Sequence, residues 1–294
     1  MLPWSGKELN GRKTMAYQTI DVRPIAGACG AEIFGADVSK PLNNAMGDEI
    51  YQAFLDYQVV AIRDQALTPQ QQVAFARRFG EPNIYPFVKG LPEAPEVIAI
   101  VKEPHEAKNF GGKWHSDSTY LKTPPVATML YAVEVPPVGG DTMFASAALA
   151  FDRLSDELKR KLSDLTAINS AALLDGGRAQ GMRYANIEVV GHDKMEMEAE
   201  HPVIRTCPET GRKSIYVNVI HTKCFKGWTD DESRPLIDYL IGHITRPEHQ
   251  CRVRWQKGTV TIWDNRAVQH LAMNDYHGYR REVHRITIEG NSTK

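Results

Sequence analysis

Short strand-like runs crowd the last two thirds of the chain with few helical segments between them, and this distribution constrains the fold more than any other feature of the sequence. The runs fall at 97–101, 126–133, 141–145, 214–219, 251–255, 259–264 and 283–289. In Thr259-Val260-Thr261-Ile262-Trp263-Asp264 and His284-Arg285-Ile286-Thr287-Ile288 the side chains alternate with period two, the mark of a strand whose two faces meet different surroundings. A doubly wound parallel sheet needs a helix after each strand, and that interleaving is missing. The pattern predicts a mainly β fold, a sandwich or jelly roll with flanking helices.

Helices are expected at a few places. Ile50, Phe54 and Tyr57 recur at helical spacing ahead of the apolar run Val59-Val60-Ala61-Ile62. Thr68-Pro69-Gln70-Gln71 reads as a capping box with proline at the first helical position, opening a helix over about 69–79 that Gly80 ends. Leu154, Leu158 and Leu162 mark a third helix, and Leu236, Leu240 and His243 a fourth whose start is blurred by Pro235. Neither an internal repeat nor a Pro/Gly-rich linker divides the chain of 294 residues, so 15–294 reads as one domain. Residues 1–14 are polar and aperiodic and read as a leader, disordered or added, with Met15 an alternative start.

With 35 basic and 36 acidic residues the formal charge is -1, which gives no bulk attraction for nucleic acid or an anionic membrane. No apolar run has the length of a membrane span or of a signal-peptide core, so a cytoplasmic location is expected. The cysteines Cys29, Cys207, Cys224 and Cys251 form no C-x-x-C and read as free buried thiols.

Trp114-His115-Ser116-Asp117 is the sharpest local feature. If the segment is extended, His115 and Asp117 point to one face and converge on one ion. His270, after the strand ending in Trp263-Asp264-Asn265-Arg266, would complete a set of two histidines and a carboxylate. That set is the facial triad of non-haem Fe(II) oxygenases, and it also suits zinc, which leaves a hydrolase open. H-x-D alone is a weak signal. It gains weight from Arg281 within Tyr279-Arg280-Arg281-Glu282-Val283-His284-Arg285, because a guanidinium can hold the far carboxylate of a 2-oxo diacid with two hydrogen bonds, and a hydrolase has no use for one.

Several further motifs stand in order with these: Gly139-Gly140-Asp141-Thr142, His201-Pro202-Val203-Ile204-Arg205-Thr206, Gly211-Arg212-Lys213, Tyr216-Val217-Asn218 and Trp263-Asp264-Asn265-Arg266-Ala267-Val268-Gln269-His270. Together they resemble the taurine dioxygenase (TauD/TfdA) family of Fe(II)- and 2-oxoglutarate-dependent oxygenases over about 20–289. The resemblance implies a double-stranded β-helix (jelly-roll, cupin-like) core, with His115, Asp117 and His270 as iron ligands. It also implies Arg281 and Thr142 at the C5 carboxylate of 2-oxoglutarate, O2 as the other cosubstrate, and assembly into a homo-oligomer, dimer or tetramer. Such enzymes convert 2-oxoglutarate to succinate and CO2 while oxidising a C–H bond of a small molecule. Hydroxylation is the usual outcome, with desaturation, ring closure or removal of a heteroatom group as alternatives, and a noncatalytic ligand-binding jelly roll as the reading from another class. Retention of Asp117 argues against halogenation, which needs that ligand position open.

For the substrate, the resemblance places Arg285 where taurine-oxidising relatives hold the sulfonate; the plainer reading is a wall ion pair or a second arginine for the cosubstrate. Those relatives carry histidine at Tyr85 and asparagine at Gly111, and an aromatic wall position falls on His221. An anionic substrate other than taurine is expected, with Tyr85, His221 and the loop 221–228 around it. His201, His243, His105, His192, His249 and His277 read as surface or structural, His284 as a packing residue on the face opposite Arg281 and Arg285, and Trp114, Trp255 and Trp263 as core or wall, with Trp114 close to the metal.

Overall fold

The computed structural model describes residues 17–85, 88–175 and 197–290, so the expected leader and His192 lie outside the described residues. The larger sheet is built from β1 (Asp21–Pro24), β2 (Ala31–Phe34), β3 (Val59–Ile62), β4 (Pro82–Asn83), β5 (Ile98–Lys102), β6 (Ala127–Glu134), β14 (Val260–Asp264) and β16 (Arg281–Ile288). Its order is β1-β2-β3-β14-β6-β16-β4, with β5 also pairing β16. Among the described strands only β2 and β3 run parallel. A smaller sheet of β7 (Thr142–Ser146), β13 (Gln250–Val253) and β15 (Val268–Ala272) has β7 in the middle.

Period-two alternation decides how these sheets pack. Val59 and Ala61 of β3, Leu130 and Ala132 of β6, Trp263 of β14 and Val283 of β16 join Phe144, Cys251, Val253 and Val268 of the smaller sheet in one buried cluster. This is the interior of the expected jelly roll. The intervening residues, Val60 and Ile62, Met129, Val260 and Ile262, and Ile286 and Ile288, point the other way onto α1 (Asn44–Tyr57) and α2 (Pro69–Ala76). The strands are apolar on both faces because helices cover the sheet's outer side, which is why β3 reads as a continuous apolar run. Thr68 and Gln71 form the expected capping box at α2.

A third cluster lies beyond the smaller sheet. Here α3 (Ala147–Asp152), α4 (Asp156–Ser163) and α5 (Asp230–Ile244) pack with β8 (Thr166–Ser170), β10 (Ile204–Thr206), β11 (Lys213–Ile215) and β12 (Thr222–Phe225), while β9 (Glu198–Pro202) pairs with β8. The strand expected over 214–219 stops at Ile215. The cause is Asn218, whose Oδ1 accepts from the backbone N–H groups of Ile220 and His221 and turns the chain. The segment 222–225, expected as loop, is strand β12 against β8. In α5 the helix starts well before Pro235, capped by Thr229 and Glu232. Proline removes one N–H, and the carbonyl that loses its donor belongs to exposed Asp231, where solvent can reach it.

Candidate active site

His115 and His270 face each other as an isolated antiparallel bridge. The N–H of His115 donates to His270 O at 3.0 Å, and the N–H of His270 to His115 O at 2.8 Å. His270 lies on β15, the strand that follows β14 as expected, and β15 holds β7 on its other edge. The imidazole centroids are 4.1 Å apart. His115 Nδ1 lies 2.7 Å from Lys113 O, which assigns it the proton and leaves Nε2 with its lone pair. That Nε2 is 3.8 Å from Asp117 Oδ1, and His270 Nε2 is 4.0 Å from the same oxygen. One donor atom from each of these residues falls within 4.8 Å of the others, a set that could hold one metal ion.

Strand alternation does not bring His115 and Asp117 together, because only His115 makes a bridge. Asp117 opens a turn in which Ser118 takes the left-handed conformation at φ 48°. His201 Nε2 lies 2.8 Å from Thr119 O and 2.9 Å from Leu121 O, so this buried histidine clamps the turn from below.

Asp117 is buried with its second oxygen committed. Oδ2 accepts from Thr128 Oγ1 at 2.6 Å, and Thr128 Oγ1 accepts from Asn265 Nδ2 at 2.9 Å. Asn265 Oδ1 accepts from Trp263 Nε1 at 2.9 Å. Arg285 Nη2 stands 3.0 Å from Asp117 Oδ1. Burial pushes the Asp117 carboxyl up, but Arg285, the imidazoles and the Thr128 hydrogen bond outweigh it and hold the pKa well below the usual carboxylate range. Burial lowers both histidines, His270 further because His115 lies beside it. At neutral pH the trio is two neutral imidazoles and a carboxylate, the protonation state that binds a cation.

These residues line one pocket together with Thr142, Arg281 and Arg285. Arg281 and Arg285 lie on the interior face of β16, and His284 points to the opposite face, where its ring meets Tyr131. Arg281 is buried, and its Nε and Nη2 have no hydrogen-bond partner among the described residues. Thr142 Oγ1 accepts from Trp255 Nε1 at 2.9 Å, which leaves the hydroxyl hydrogen to donate elsewhere. A pair of orphaned N–H groups beside a hydroxyl fits a carboxylate.

Tyr85 and His221 are not among the described walls of this pocket. Tyr85 lies under Arg285, 5.6 Å from ring centroid to guanidinium carbon, and its hydroxyl meets Tyr120 at 2.8 Å. His221 sits edge-on to Tyr120 and pairs through Nδ1 with Thr119 Oγ1 at 3.0 Å. These aromatics form a second row behind Arg285. Trp114 packs on the helical cluster away from the pocket, and it is Trp263 that lines the site, 4.7 Å from the His270 ring. His243 and His249 are buried and bonded to main-chain carbonyls, whereas His105 and His277 are exposed. Thr128 was not singled out by its sequence context. Its signal is a lone hydroxyl on the inward face of β6, in line with Leu130 and Ala132.

Residues 21–287 match the family described as "Taurine catabolism dioxygenase TauD, TfdA family". An alkylsulfatase of Acinetobacter baylyi is 34% identical over 279 residues, covering 94% of this chain and 87% of that protein. An alpha-ketoglutarate-dependent sulfate ester dioxygenase of Pseudomonas putida is 34% identical over 276 residues, covering 92% and 90%. The crystal structure of a taurine dioxygenase from Burkholderia xenovorans superposes with a TM-score of 0.80 at 33% identity, covering 94% of this chain and 93% of that one. No described helix is long and apolar enough to cross a membrane. Fold, site chemistry and relatives agree: the chain belongs to the TauD/TfdA family and is an Fe(II)- and 2-oxoglutarate-dependent dioxygenase.

Proposed function

We propose that this dioxygenase oxidises a C–H bond of a small sulfate ester or related organic anion other than taurine, with His115, Asp117 and His270 as the Fe(II) ligands. The observation that carries the reading is the polarity of one pocket: three converging metal donors at one end and the orphaned Arg281 nitrogens with Thr142 at the other. Fe(II) bound with 2-oxoglutarate and O2 supplies an oxidant able to break a C–H bond, with succinate and CO2 released. In this reading Arg281 and Thr142 bind the C5 carboxylate and so orient the 2-oxo acid end toward the ligands. Thr128 holds Asp117 Oδ2 and leaves Oδ1 to face the metal. Trp263 and Leu130 exclude water from the interior wall.

Arg285 is the group assigned to the substrate's anionic end. Hydroxylation of a carbon bearing a sulfate ester oxygen gives a 1-hydroxyalkyl sulfate, whose C–O bond then breaks to release an aldehyde and hydrogen sulfate. The names of the two sequence relatives support this class. The shape of the site argues against taurine. At 111 the chain has glycine with φ 79°, where even a Cβ would stand 3.4 Å from His115 Cε1, so no polar side chain fills the wall there. At 85 a phenol bonded to Tyr120 replaces an imidazole. A cytoplasmic location, consistent with four buried free thiols, and a homo-oligomeric assembly, dimer or tetramer, complete the proposal.

Replacing His115, Asp117 or His270 by alanine is expected to abolish Fe(II)-dependent succinate formation and weaken Mn(II) binding, with circular dichroism unchanged; two variants with wild-type Mn(II) affinity would move the metal elsewhere. Thr128→Val removes a hydroxyl and keeps the shape, so metal affinity should fall about 10-fold, as for other groups that orient a ligand, and Thr128→Ser should restore it. Arg281→Ala is expected to raise the 2-oxoglutarate requirement about 10- to 100-fold through loss of a charge-assisted contact, with the substrate requirement nearly unchanged. For the substrate, oxygen uptake and succinate release measured together should couple with alkyl sulfates at least roughly tenfold more efficiently than with taurine, and Arg285→Gln should remove that advantage. Tightly coupled taurine oxidation, or a best substrate indifferent to Arg285→Gln, would overturn the assignment.

A further inference from the structure

A second, small pocket adjoins the first at Arg281 and is walled by Lys102, Lys108, Asn109 and Tyr276. Lys102 ends β5 and stands directly opposite Arg281 of β16 in the sheet register. Cross-strand partners share a face with Cβ atoms about 4.5–5.5 Å apart, and like charges in that relation repel. Both residues are buried, Lys102 at 5% and Arg281 at 7% exposure. Lys102 Nζ has no hydrogen-bond partner among the described residues and rests 4.3 Å from the centroid of the Tyr276 ring. A ring face offsets part of the desolvation of an ammonium but supplies no acceptor.

Each carboxylate of this region has an oxygen engaged elsewhere, while Asp141 Oδ1 stays buried without a hydrogen-bond partner among the described residues and its charge acts on Arg281. Glu103 accepts from Arg280 at 3.2 Å, Glu106 accepts from the Glu103 N–H at 2.6 Å, and Asp141 accepts from Arg252 at 2.6 Å. Two buried cations therefore sit side by side without a carboxylate hydrogen-bonded to either among the described residues. The 2-oxoglutarate carboxylate assigned above answers Arg281 and leaves Lys102 unmatched. Asn109, whose Nδ2 donates to the carbonyls of Ala272 and Met273, fixes the segment that carries Lys108 across the pocket mouth.

We propose that this pocket is a second anion site, separate from the metal centre and centred on Lys102, which takes a small oxyanion of the carboxylate or sulfate type. Lys108 at the mouth draws the anion in, and Lys102 meets it inside. Because Arg281 forms the shared wall, an anion at Lys102 also lowers the repulsion between the two cations. The site does not depend on the cosubstrate assignment: a protein that bound no 2-oxoglutarate would still take up sulfate at Lys102.

The test is calorimetric titration of sulfate, and separately of succinate, into the full-length protein loaded with Mn(II) and saturating 2-oxoglutarate, and again without 2-oxoglutarate. Wild type is expected to bind one equivalent of at least one of these anions with 2-oxoglutarate already in place. Which anion binds separates an inorganic source from a dicarboxylate one. Lys102→Met should weaken that binding tenfold or more while changing the 2-oxoglutarate Kd less than threefold. Lys108→Ala, an exposed substitution that leaves the interior intact, should weaken it by a smaller factor and steepen no other titration. Absence of a further equivalent in wild type, binding unaltered in Lys102→Met, or a parallel loss of 2-oxoglutarate affinity in that variant would each overturn the proposal, the last by making Lys102 part of the cosubstrate site.

Discussion

An ionised carboxylate enclosed in an apolar sandwich costs several kcal/mol unless its oxygens are met by donors or cations, and Asp117 is such a group. The surrounding structure can be read as the means of meeting it. β6 supplies Thr128 to one oxygen, and β16 brings Arg285 to the other. The reciprocal backbone bonds between His115 and His270 bring two imidazoles to the same side. These donors come from segments far apart in the chain, so the site exists only when both sheets are closed on each other. The carboxylate therefore couples the metal-binding chemistry to the tertiary fold.

How much of this the sequence carried differs from one element to the next. Alternation in 259–264 and 283–289 is legible because each strand has two buried but different faces, and in β16 it correctly separates Arg281 and Arg285 from His284. The Thr68 capping box is legible because its hydrogen bonds are local. The short strands β8 to β12 were mostly not legible. Their few residues are held by tertiary pairing, and Asn218 ends one of them through a side chain that propensity does not anticipate. The donor residues were readable as types. Their convergence was anticipated too, but not its means: a single bridge and a left-handed Ser118 do the work assigned to strand alternation. Thr128 was invisible for a related reason: a threonine in a strand is ordinary until a carboxylate lies 2.6 Å away.

The spacing of the arginines on β16 shows how one strand serves two chemical ends. Positions 281, 283 and 285 face inward, so Val283 separates two guanidinium groups along a single wall. Arg285 is already neutralised by Asp117, and burial is more than offset by that pairing. Arg281 has no hydrogen-bonded carboxylate among the described residues, and burial lowers its affinity for a proton more than Tyr276 and Asp141 raise it. Two arginines of the same strand are thus held in opposite electrostatic conditions. The matched one balances the Asp117 carboxylate, and the unmatched one stands to gain most from an anionic ligand.

That asymmetry bears on specificity. A carboxylate reaching Arg281 meets a desolvated cation and orphaned N–H groups, so its binding removes a penalty already built into the fold. An anion reaching Arg285 must share the guanidinium with Asp117, and its gain is correspondingly smaller. On the proposed assignment of Arg285 to the substrate, discrimination at that end would rest more on shape than on charge, chiefly on Gly111, which leaves the wall beside His115 without a side chain.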